Sequence, residues 1–179
     1  MGSRLMPAAA PDSALFTAVA QTFQHMGWES RRVENREIIE ADFEVYHTRT
    51  RIHVQVFAQL QAISVVGTLG HRVPDSRSGL VGEALMRTNK DLTIGNFELD
   101  FDTGTVLFRA SNIFPPGGAE PRIIASLVHT TLAEVDRFTP FLTLLLRMST
   151  GELASLNLKM FLMREDLLPP VPGGDDATP

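Results

Sequence analysis

Cysteine is absent from the 179 residues of this chain. That excludes disulfide frameworks, zinc–thiolate sites, iron–sulfur clusters and thiol nucleophiles. It also fits a reducing compartment, and the cytoplasm is the expected location. An excess of basic charge is lacking too: the net charge is −5. Nucleic-acid binding needs basic patches that displace counterions, so no nucleic-acid partner is expected. No apolar run is long enough to span a bilayer, and no membrane association is expected. The first eleven residues carry one basic residue and no hydrophobic stretch, so a secretory signal is not expected either. Chemistry-bearing motifs are equally sparse. His25, His47, His53, His71 and His129 show no HExxH spacing, and no serine sits in a Gly-x-Ser-x-Gly elbow. Gly67-Thr68-Leu69-Gly70 lacks the Lys-Ser/Thr of a phosphate loop. No catalytic residue, cofactor site or metal site is assigned.

What remains is a composition 44% hydrophobic and 21% charged, enough for a sizeable core. Residues 12–166 read as one domain. Residues 1–11 read as a flexible start, and residues 167–179, rich in Pro, Gly and Asp, as a disordered tail. Asp12 or Ser13 can cap a helix with Leu15, Phe16, Val19, Ala20 and Phe23 on one face, stopped by Gly27. Residues 33–45 alternate apolar and acidic, as a half-buried strand does. Residues 51–58 alternate likewise. Pairing Val45 with Ile52, Phe43 with Val54 and Ala41 with Val56 makes them a hairpin connected by residues 47–50. In that register Glu44 stands beside His53, and His47 and His53 flank one turn. A third strand covers about residues 62–69. A loop over residues 74–78 leads to a short helix over 80–92, with Ser78 as a candidate cap.

Residues 89–109 form the most informative stretch. Phe97, Leu99 and Phe101 alternate with Asn96, Glu98 and Asp100, and Val106 and Phe108 continue after an Asp102-Thr103-Gly104 turn. Pairing Phe101 with Val106 sets Glu98 opposite Arg109. Pro121 then opens a long apolar helix that Pro140 kinks or divides. Ser149 to Glu152 matches a capping box, followed by a last helix running to about residue 165. The order α-β-β-β-α-β-β-α(-α) defines an α+β two-layer fold. About five strands form an antiparallel sheet, with helices on one face.

Asn89, Leu92, Gly95, Phe97, Leu99, Asp100, Gly104, Val106 and Arg109 form a pattern that resembles the YbjN-like family, which has a type III secretion chaperone-like fold. Asp136, Phe138 and Pro140 are similar to that family's last helix. The resemblance implies a dimer-forming binding or regulatory module without an established catalytic site.

Asp102-Thr103-Gly104 is also the tripeptide of aspartic proteases, which need two such loops so that two carboxylates share a proton. The alternative to a binding protein is therefore a dimeric hydrolase using Asp102. Asp and Gly are ordinary turn residues, and the turn reading is preferred. The last helix reads either as core or as a partner surface. Its surface reading places Leu156, Met160 and Phe161 against a second copy or an unidentified protein. A homodimer through the sheet or the last helices is expected.

Overall fold

The computed structural model describes residues 11–164 and residue 166. The expected tail over 167–179, and all of the expected flexible start but Pro11, lie outside these residues. Ser13 caps the first helix, α1 (Ala14–His25), its hydroxyl accepting the Phe16 N–H at 3.1 Å. Leu15, Phe16, Val19 and Phe23 line the buried face. Gly27 adopts φ +69° just past the helix end, and Trp28 turns edge-on to Phe23 and Phe43.

The strand expected over 33–45 is confined to residues 38–44, and a further short strand precedes it. β1 (Arg31–Arg32) and β2 (Ile38–Glu44) pair antiparallel around a turn where Asn35 takes φ 56°. This two-residue strand raises the sheet to six strands. β3 (Arg49–Phe57) pairs with β2, but Ile52 faces Ala41 rather than Val45. The chain reverses over residues 45–48, with the Val45 N–H donating to the Thr48 carbonyl at 3.0 Å. The partner of Ile52 moves by four residues. Because that shift is even, the inward and outward faces stay as the alternation sets them.

A 3-10 turn (Ala58–Leu60) leads into β4 (Ala62–Arg72), and α2 (Asp75–Asn89) follows. This helix starts well before residue 80. Pro74, with φ −72° and ψ 153°, occupies the cap position, and Ser78 lies inside. β5 (Asn96–Asp100) and β6 (Thr105–Ile113) pair with Leu99 opposite Val106 and Phe97 opposite Phe108, two residues off the expected register. The turn takes the extra residues. Asp100 Oδ1 accepts the Asp102 and Thr103 N–H groups at 2.9 and 3.2 Å, and its carbonyl accepts the Gly104 N–H at 2.7 Å.

α3 (Pro121–Arg147) runs through Pro140 without starting a new segment. Phe138, Phe141, Leu142 and Leu145 are buried around that proline. Burying several large side chains outweighs one lost backbone bond. The helix crosses β4 closely: a β-carbon at Gly67 would lie 2.8 Å from Thr131 Cγ2 and 2.9 Å from Val135 Cγ2. The expected last helix is instead α4 (Thr150–Ala154) and α5 (Leu158–Leu162). The Ser149–Glu152 capping box forms as its spacing predicts. Asn157 caps α5 through the Met160 N–H at 3.1 Å, which ends one helix and begins another.

The sheet order is β1-β2-β3-β4-β6-β5, antiparallel throughout. The helices cover one face, and one hydrophobic cluster takes side chains from α1, α2, α3 and α5. Among the described residues, the opposite face carries no helix.

Candidate functional site

Register fixes what the open face displays. Arg31, Glu40, His53, Val66, Arg109 and Asn96 are successive cross-strand partners, forming one row across all six strands. Ion pairs stud this face. Arg31 pairs with Glu40, whose other oxygen lies 3.4 Å from His53 Nδ1. Arg51 Nε donates to Asp42 at 2.8 Å. Arg109 grips Glu98 with two bonds, of 2.7 and 3.0 Å, and reaches Ser64 Oγ at 3.3 Å. Hydrogen bonds from these guanidinium groups hold the Glu40, Asp42 and Glu98 carboxyls below their ordinary range. The charges largely satisfy one another, so the surface is polar yet carries little free charge.

One end of the face is different. Phe57 stands opposite Ala62, and Ala62 opposite Ile113. Ile113 is 74% exposed, and Leu60 in the adjoining 3-10 turn is 68% exposed. This apolar corner lies beside the uncharged Gln55, Ser64 and Ser111, which are aligned across β3, β4 and β6. A flat, charge-satisfied sheet with an apolar end suits contact with another polypeptide. The sequence reading did not name these residues. Their exposure depends on the helices all gathering on the other face.

The site residues read from the sequence are dispersed. Phe161 is 5% exposed and packs edge-on to Phe141 at 5.5 Å, within its own chain. Leu156 is half-buried, and Met160 is 59% exposed. Asp102 lies exposed in the β5–β6 turn. Its partner in that turn is Asp100, whose carboxyl is held low by hydrogen bonds from Thr103 and then from the Asp102 N–H. This is turn chemistry, and nothing in the geometry supports a protease loop.

His47 and His53 do not share a surface. His53 is on the open face, whereas His47 turns toward α3. Its backbone N–H and ring Nδ1 meet the two Asp136 oxygens at 2.6 and 2.8 Å. Both side chains are only 10% exposed. His47 is therefore a tether of the β2–β3 turn. Among the described residues, no cluster of His, Asp and Glu could hold a metal ion, and no helix is long and apolar enough to cross a membrane.

The sequence pattern over 89–109 also has a structural account. The Asn89 carboxamide clamps the edge strand, accepting the Phe97 N–H at 2.7 Å and donating to the Phe97 carbonyl at 3.0 Å. Gly95 takes φ +79°, where a β-carbon would meet the Phe108 ring at 2.5 Å. The Phe97 ring packs edge-on to Phe108 and tilted against Phe138, with centroids 5.0 and 4.7 Å away.

These features define an α+β protein with the type III secretion chaperone-like fold. The chain belongs to the YbjN family, whose model matches residues 16–143 and is described as "putative bacterial sensory transduction regulator". The fold is similar to the crystal structure of the ExsC–ExsE complex, at 13% identity and TM-score 0.54, covering 75% of this chain and 96% of that one. It is also similar to YbjN, a putative transcription regulator from E. coli, at 11% identity and TM-score 0.51, covering 70% of this chain and 89% of that one. Curated protein sequences offer no match.

Proposed function

We propose that this chain is a non-enzymatic protein-binding module, chaperone-like or regulatory, that docks a protein partner on its open sheet face. The observation that carries the reading is the apolar corner of Phe57, Leu60 and Ile113 beside a face whose charges are already paired. Family membership and the fold shared with ExsC, whose structure is a complex with ExsE, support it. The reading includes the cytoplasm as compartment, for which the support is the lack of cysteine. It also includes a homodimer, with the exposed Met160 as part of the contact and Leu156 and Phe161 supporting it from beneath.

The test compares wild type with Leu60→Asp/Ile113→Asp as baits in host extract. Both positions are exposed, so the variant should keep the wild-type thermal transition. A protein captured by wild type and lost from the variant is the expected result. Equal capture by both baits would remove the open face as the docking site.

A further inference from the structure

The last two helices stand apart from the rest of the fold. The family match ends at residue 143, before either begins. Each has five residues, too short to persist as a helix without packing. Local caps set their shape: Ser149 and Glu152 bond reciprocally, and Asn157 receives the Met160 N–H. Their docking is one-sided. Leu158 and Phe161 are buried and Leu162 half-buried, at spacings i, i+3 and i+4. Phe161 stands edge-on to Phe141 of α3, and α5 also packs on α2. The other side of α5 exposes Lys159, Met160 and Met163. This is how an amphipathic helix sits in a groove.

We infer that α4 and α5 form a strap that fills, in its own chain, a groove between α2 and the end of α3, and that this groove accepts an amphipathic segment of a protein partner. The strap states the chemistry required: apolar anchors at i, i+3 and i+4, the first two buried and the second packed on Phe141. A partner segment fits better than the strap of a second copy. Only Met148 and Ser149 link the strap to α3, and Arg77 Nη2 donates to the Met148 carbonyl at 2.5 Å. That bond pins the hinge to α2 of the same chain, and exchange between copies would break it. The inference adds a second protein-binding site and does not depend on the open face.

The full chain tests it, with a fluorescent synthetic peptide of residues 149–164 as the probe. Phe161→Asp releases the strap, because its ring is buried against Phe141. The control is Met163→Asp, on the exposed side. An occupied groove lowers apparent affinity by the fraction of chains left open, so the peptide should bind Phe161→Asp at least about tenfold more tightly than wild type or Met163→Asp. A peptide carrying the same Phe161→Asp change should not bind. The inference is overturned if Phe161→Asp keeps its cooperative thermal transition and binds no peptide. It is overturned equally if that variant loses its fold, since the strap is then integral core, or if it forms a larger assembly than wild type at the same concentration, since the occupant is then a second copy. Partner capture by Leu60→Asp/Ile113→Asp is a separate measurement, so each reading fails on its own.

Discussion

Gly104 shows how a residue can look catalytic and be structural. It holds φ +69°, and a β-carbon there would strike the Val73 carbonyl oxygen, while its own carbonyl accepts the Val73 N–H at 2.8 Å. Gly104→Ala therefore combines backbone strain with a clash against main chain that has little room to move. It should cost about 2 kcal/mol or more in urea unfolding. An unchanged unfolding midpoint would contradict this account. Glu98 gives a residue-scale prediction in pH. Its carboxyl is lowered from the ordinary 4.5, first by the Arg109 hydrogen bond. A depressed carboxyl contributes stability that is present above its unfolded value and is lost as pH falls through the folded value. Wild type should therefore lose stability more steeply than Glu98→Gln between about pH 5 and about pH 3. The pair is more than a third exposed, so the difference should stay within about 1 kcal/mol. Parallel slopes for the two proteins would show that the pair does not contribute.

At the scale of elements, Asn89 closes an edge that would otherwise invite strand pairing. Asn89→Ala removes both bonds to Phe97, and should cost about 1–2 kcal/mol. Faster hydrogen exchange at the Phe97 amide would locate the loss, and unaltered exchange would refute the clamp. The β2–β3 turn is held in a comparable way. Asp136→Ala deletes the acceptor of both the His47 N–H and the His47 ring, and should cost about 1–3 kcal/mol in urea unfolding. These two clamps also mark where the sequence was legible. Alternation gave the strand faces, because burial on one side imposes period two whatever the partner. It did not give register, since pairing Ile52 with Ala41 or with Val45 leaves the same side chains inside. The register depends on turn bonds and on Asp136, 89 residues away from His47. Asn157 within an apolar helical run was the one local sign that the last helix divides. The open face could not be read before the placement of the helices, because exposure of Leu60 and Ile113 is a property of the whole sheet.

For the whole molecule, exposed apolar side chains at the β5 edge offer the proposed homodimer a contact surface. Phe101 and Ile94 are exposed there, as is Met86 on α2. The nearest Phe101 ring atom would lie 3.6 Å from a β-carbon at Gly82, so the ring rests beside α2. The helix carries opposite charge at its two ends: Asp75 stands in its first turn and Lys90 at its end, while Arg87 pairs with Glu83 of the same helix. An antiparallel pair related by a two-fold axis would set each acidic end against the partner's basic end while burying Met86 and Phe101 twice. Stable dimers of this kind typically bury about 2,000 Å² or more in total. Side chains from α2, the β5–β6 turn and Met160 can contribute to such an area, whereas the two-residue strand β1 offers far less. Wild type should sediment as a dimer at about 10 µM. Met86→Asp/Phe101→Asp should shift it toward monomer by placing unpaired charge in the contact. Both positions are exposed in the single chain, so the variant should unfold at the wild-type temperature when dilution has already separated the wild-type subunits. A monomeric wild type at that concentration would defeat the dimer. A variant that remains fully dimeric would move the contact to another face.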